Sequence, residues 1–167
     1  MFYLQEQQNL VGMLFPDAER YHALLESIGT FLEKEILPDA KKVDQEMVFP
    51  RRGLEKVSGK GIMAMPFPKE FGGLGLPYPV FIAALEMLTK ACANTALQVD
   101  VQNMVCEGIR LFGSEHQKTE YLLKSGLADG RKLIAFALTE PCCGSDANAL
   151  QTRAALSGDT YILNGNK

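Results

Sequence analysis

Apolar residues recur at spacings of three and four through the first two-thirds of the chain, the period of helices with one buried face. From Pro16-Asp17 onward, Leu24, Leu25, Ile28, Phe31, Leu32 and Ile36 trace one stripe, and Pro38 is expected to end it. Arg51 to Val57 predicts a shorter helix, stopped by Ser58-Gly59-Lys60-Gly61. Phe81, Ala84, Leu85 and Leu88 form another stripe, entered through Pro77 and Pro79. The strongest is Leu97, Val101, Met104, Val105, Ile109 and Phe112, stopped at Gly113. Ser114-Glu115-His116-Gln117 follows with the pattern of a capping box, in which Ser114 and Gln117 satisfy each other's amides. It opens a helix through Tyr121, Leu122 and Leu123 that ends near Gly126. Helices joined this closely predict a bundle.

Near Gly130 the period changes. Leu133 to Leu138 is a short apolar run between turn signals, read as a buried strand. Gln151 to Leu156 and Thr160 to Leu163 read as two strands around Ser157-Gly158-Asp159, and Asn164-Gly165 is a strong hairpin signal. A hairpin turn without a return strand leaves an open edge, so the reading is of a fragment whose β part continues. The expected fold class is α+β: an all-α helical bundle over 1–131, then the first strands of an incomplete antiparallel β-barrel domain over 132–167.

Composition narrows the function. The 167 residues include 17 basic and 20 acidic side chains, a formal charge of −3. That balance argues against a nucleic-acid groove, which needs concentrated positive charge. No apolar run reaches the roughly 20 residues that cross a bilayer, and Met1 to Gln7 lacks the basic start of a secretory signal. A soluble, cytoplasmic protein is expected. Of the four cysteines, Cys92 and Cys106 fall in helical patterns and Cys142-Cys143 are adjacent, so neither a zinc spacing nor a disulfide framework is present. All four are expected to be unbridged.

Two segments could carry chemistry. Phe67 to Leu76 is glycine-rich but lacks the preceding strand and following helix of a phosphate cradle, so it reads as a tight connection between helices. Thr139-Glu140-Pro141-Cys142-Cys143-Gly144-Ser145-Asp146 leaves a strand end and presents hydroxyls and backbone amides. It reads either as a ligand loop or as an ordinary turn capped by Ser145 and Asp146. His22 and His116 have no partner spacing that points to catalysis or metal, and Lys41-Lys42 and Arg51-Arg52 read as solvated faces.

Several short motifs then occur in a specific order. They are Pro68-x-Glu70-Phe71-Gly72-Gly73-Leu74-Gly75, Glu86-x-Leu88, and Phe112-Gly113-Ser114-Glu115-x-Gln117-Lys118-x-x-Tyr121-Leu122. Ala135 to Pro141, Gly144-Ser145-Asp146 and Gly158-Asp159-x-Tyr161-x-Leu163-Asn164-Gly165-x-Lys167 complete the set. Together, from about Leu24 to Lys167, the chain resembles the acyl-CoA dehydrogenase family.

That resemblance implies a flavoprotein oxidoreductase with a helical domain, a β-barrel domain and a C-terminal helical domain, holding FAD between them. Phe136 and Leu138 would line the flavin ring, and Thr139 would hydrogen-bond its pyrimidine edge. Gly144 and Ser145 would contact the pyrophosphate, and Ser145 also the acyl-CoA substrate. The helix from Leu97 resembles the wall of the acyl cavity, so Ala96, Leu97, Val101 and Met104 would face the substrate tail, with core packing as the alternative. The implied reaction is α,β-dehydrogenation of an acyl-CoA thioester, as in fatty acid β-oxidation. The catalytic base matches no residue of this chain, and Glu140 belongs to the loop scaffold. An electron-transfer flavoprotein as acceptor and a homotetramer are implied in the same way.

Cys142-Cys143 departs from the small Gly or Ala usual at those positions, either as a benign exchange or as a change to the flavin site. Two other functions remain open: an acyl-CoA oxidase or related flavin monooxygenase, and a helical interaction module without turnover.

Overall fold

A computed structural model describes residues 3–167. Met1 and Phe2, part of the segment read against a secretory leader, lie outside the described residues. The chain divides into two units after Ile134.

The first unit is helical. Helices α1 (Gln5–Leu14), α2 (Ala18–Glu35), α3 (Leu37–Gln45), α4 (Arg51–Gly59), α5 (Tyr78–Ala91) and α6 (Ala93–Phe112) are followed by a single turn, α7 (Glu115–Gln117). The last runs on as a π-helical segment, Lys118–Lys124. The predicted stripe on α2 is the buried one: Leu25, Ile28 and Leu32 pack with Val80, Ala84, Met87 and Leu88 of α5 in the main core. Gly29 lets the helices approach closely, since a Cβ there would stand 3.1 Å from Met87 Cε.

Helix α2 ends at Glu35 with Ile36 as its C-cap, just ahead of Pro38 as expected, and Pro38 belongs to the next helix. It occupies the first turn of α3, where its missing N–H goes unneeded. The sequence pattern does not mark α1 because its apolar spacing is weak. Gln7 holds it in place, accepting from the Leu4 amide (2.9 Å) and donating to Glu86 Oε2 on α5 (2.7 Å).

The capping box after α6 forms as predicted, with Gln117 N–H donating to Ser114 Oγ (3.2 Å) and Ser114 N–H to Gln117 Oε1 (2.8 Å). The glycine-rich segment is a tight connection. Gly75 N–H donates to Phe67 O (2.7 Å) and Leu76 N–H to Met65 O (2.9 Å). A Cβ on Gly73 would fall 2.0 Å from Phe67 O, so only glycine fits beneath that turn. No helix among the described residues is long and apolar enough to cross a membrane.

The second unit holds the antiparallel pair β1 (Arg153–Ser157) and β2 (Thr160–Asn164), in register Arg153↔Asn164 through Ser157↔Thr160. Gly158, at φ +59°, is the first residue of the two-residue turn, the position that requires glycine in such hairpins. The strand predicted over Leu133 to Leu138 is a correction. That segment joins no ladder among the described residues, and Leu133 and Phe136 are exposed. A strand needs a partner to satisfy its amides, and local apolar pattern cannot supply one.

Candidate functional site

Within the second unit, the loop is built around Glu140. Its N–H donates to Cys143 O (2.9 Å) and Cys143 N–H returns to Glu140 O (3.1 Å), closing a tight turn over Pro141-Cys142. The carboxylate is buried and accepts from the amides of Gln151 (2.7 Å) and Thr152 (3.1 Å). Lys167 Nζ lies 2.9 Å from Glu140 Oε1 and donates to Leu138 O (2.8 Å), tying both sides of the loop to the end of the hairpin. The Thr152 hydroxyl facing it, the Gln151 amide and the Lys167 ammonium hold the Glu140 carboxyl down to about 2. Thr152 Oγ1 itself is buried with no partner of hydrogen-bond geometry, so it acts on the carboxylate as a nearby dipole. Gly165 is required against this residue, because a Cβ there would fall 2.0 Å from Thr152 Oγ1.

This arrangement makes Glu140 a clamp. Fully ionised and spent on four donors and dipoles, it is unsuited to take a proton from a substrate.

Beyond the clamp, Asp146 accepts from Asn148 N–H (3.1 Å) and caps the short 3₁₀ turn Ala147–Ala149. Thr139, Gly144 and Ser145 are exposed. Among the described residues, the amides of all three and the hydroxyls of Thr139 and Ser145 donate to no protein acceptor. Phe136 is also exposed and Leu138 half-buried, adding apolar surface to the same segment. Rigid backbone with unspent donors beside apolar side chains is the donor set for a ligand with anionic oxygens and a planar ring. The residues present therefore fit a group of that chemistry.

Within the first unit, the core-packing alternative does not hold for the Leu97, Val101 and Met104 part of the α6 stripe. Leu97 is 58 % exposed, Met104 49 % and Phe112 87 %, with Val101 half-buried between them. Facing inward instead are Thr95, Ala96, Val99, Gln102, Asn103 and Cys106. Gln102 explains the inversion: its side chain donates to Leu127 O (2.7 Å) and Lys132 O (3.0 Å) and accepts from Ile134 N–H (3.0 Å). Asn103 donates to Met63 O (3.1 Å) and Val99 O (2.8 Å). The bonds to Met63, Leu127, Lys132 and Ile134 serve loop backbone outside the helices and strands, and they need the buried face. Leu97, Met104 and Phe112 are left outside, while Ile109 packs against a smaller buried cluster. Ala96, 3 % exposed, belongs to the core and lies off the face shared by Leu97, Val101 and Met104.

Gln102 and Thr152 escaped the sequence reading, because polar residues in a periodic pattern read as surface. Lys167 carried a signal, since it closes the Asn-Gly-x-Lys motif.

An open apolar helix face in the first unit and a loop of unspent donors in the second are the surfaces a ligand-binding module presents. Comparison with known proteins supplies the family. Residues 18–130 match the model described as acyl-CoA dehydrogenase, N-terminal domain. The chain is 40 % identical over 150 residues to human mitochondrial short-chain specific acyl-CoA dehydrogenase, covering 89 % of this chain and 36 % of that protein.

Two solved structures share the fold. One is described as the electron transferring flavoprotein of Acidaminococcus fermentans (36 % identity, TM-score 0.82, 88 % of this chain and 38 % of that one). The other is a glutaryl-CoA dehydrogenase from Mycobacterium smegmatis in complex with FADH2 (26 % identity, TM-score 0.79, 88 % and 38 %). The chain belongs to the acyl-CoA dehydrogenase family. It spans under two-fifths of the length of the human relative.

Proposed function

We propose that this chain supplies the helical domain and cofactor loop of an FAD-dependent acyl-CoA dehydrogenase acting on short acyl-CoA thioesters. The observation that carries the reading is the set of unspent donors at Thr139, Gly144 and Ser145, held on the Glu140 clamp. FAD, when bound, supplies the acceptor for the substrate's β-hydrogen. The hydroxyl and amide of Thr139 would hold the edge of the ring, where donors favour the gathering of negative charge. Gly144 and Ser145 offer amides to phosphate oxygens, Ser145 Oγ also reaches the acyl-CoA, and Phe136 and Leu138 give apolar contact to the ring. Leu97, Val101 and Met104 form an apolar wall for the acyl tail that keeps water from it, with Ala96 behind them.

Glu140 is not the base that takes the α-proton, because its carboxylate is committed to the clamp. The short-chain preference follows the name of the human relative, the flavin follows the FADH2 complex, and the electron-transfer flavoprotein follows the Acidaminococcus structure. A homotetramer in the cytoplasm completes the proposal.

The test is anaerobic reduction of the flavin in the protein that carries this chain. Butyryl-CoA is expected to bleach the oxidised flavin, and Thr139→Val to slow bleaching about 10²-fold, the scale for removing one donor from developing charge. Purification of a colourless protein unable to take up FAD would overturn the reading and leave the interaction-module alternative. Peroxide release in air, in place of reduction of an electron-transfer flavoprotein, would make it an oxidase.

A further inference from the structure

The proposed function leaves unused the thiols of the cofactor loop. Cys142 is exposed and Cys143 half-buried, and they are consecutive on the turn that the Glu140–Cys143 hydrogen bonds close. Their Sγ atoms and a Glu140 carboxylate oxygen all lie within 4.8 Å of one another. The other two thiols are withdrawn. Cys92 is buried and accepts from the Thr95 hydroxyl (3.2 Å), and burial pushes the Cys106 thiol up to about 12. A thiol-seeking ligand approaching this chain meets one dithiol.

We propose that Cys142 and Cys143 form a binding site for trivalent arsenic, taken as arsenous acid or a mono-organic arsenical. Three features select that chemistry. Closing the pair as a disulfide would need sulfurs about 2.05 Å apart across a single peptide, a strained ring, whereas a bridging third atom enlarges the ring and relaxes it. A hard divalent cation is disfavoured, since the Glu140 carboxylate already serves two amides and pairs with the Lys167 ammonium at 2.9 Å. Soft thiolates select soft, thiophilic centres.

The exchange at arsenic balances on the protons of the two thiols. Each S–H passes its proton to a hydroxyl leaving arsenic as water, and one As–S bond replaces one As–O bond. Arsenic stays trivalent, no electrons are transferred, and the site gains no net charge beside Lys167. Arsenous acid gives up two hydroxyls and keeps the third. Hydrated phenylarsine oxide gives up both of its hydroxyls.

The test adds phenylarsine oxide to the reduced holoprotein and follows intact mass, with peptide mapping after alkylation by iodoacetamide. The expected result is a single adduct that shields Cys142 and Cys143 together, removed by 2,3-dimercaptopropanol but not by the same concentration of a monothiol. Cys142→Ser and Cys143→Ser are each expected to weaken retention by about 10²-fold, the loss when a two-point attachment becomes one. The double variant Cys92→Ser/Cys106→Ser retains the adduct unchanged. Circular dichroism of each variant separates misfolding from lost ligation. Retention undiminished in either single variant, mapping of the adduct to another thiol, or ready alkylation of both cysteines with the arsenical present would each overturn the site.

Discussion

Gln102 shows how one polar side chain can decide the orientation of a helix. Buried on α6, it serves two carbonyls and one amide of the connection between residues 127 and 134. Gln102→Leu keeps the volume but strands Lys132 O and Ile134 N–H and leaves Leu127 O only the Gly130 amide, at about 3 kcal/mol, because each buried unsatisfied group forfeits its solvation. Urea denaturation of the helical unit measures that loss. Glu140 makes the complementary case in the second unit. Its carboxyl stays ionised down to about 2, against the ordinary 4.5, so between those values the unfolded chain binds a proton that the folded chain does not. The stabilisation from Glu140 is therefore whole above pH 4.5 and is lost as pH falls toward 2. Glu140→Gln should flatten that acid limb, read by the NMR shifts of the Gln151 and Thr152 amides during acid titration, and it should loosen the loop at neutral pH.

At the scale of elements, periodicity located the helices well and assigned their faces unevenly. On α2 the apolar stripe is the buried face, because nothing polar competes for the core. On α6 the stripe is open and the polar amides are inside, since loop backbone needs donors and acceptors there. The two helices predict opposite mutational outcomes. Leu88→Ala on α5, in the core, should destabilise the helical unit by about 2–5 kcal/mol. Leu97→Ala should change its stability by less than about 0.5 kcal/mol, as for exposed positions, while raising the KM for acyl-CoA in the assembled enzyme. Thermal unfolding and steady-state kinetics on the same variants separate these roles. Small elements behaved differently again. The Ser114 capping box and the Gly158 turn were legible because their hydrogen bonds are local, whereas Leu133 to Leu138 lacks the partner that would make it a strand.

For the whole molecule, the two units differ in how much they can hold by themselves. The helical unit has a continuous core from α1 to α6. The second unit exposes Leu156, Tyr161, Ile162 and Leu163 on a two-stranded hairpin, an arrangement that is marginal in water without further sheet or a covering layer. A peptide of residues 135–167 is therefore expected to show little strand signal in circular dichroism. Residues 1–134 should retain a cooperative helical transition. A stable, cooperative 135–167 peptide would show that the Glu140–Lys167 clamp alone can order the hairpin.

The order of motifs by itself determined the family, the helical first part and the hairpin, because each is written in contiguous residues. Only the tertiary structure decided which face of α6 is open, that Glu140 is spent as a clamp, and that Lys167 closes the loop. Those outcomes rest on hydrogen bonds between residues 11 to 40 positions apart, where a polar side chain meets backbone that local pattern cannot see.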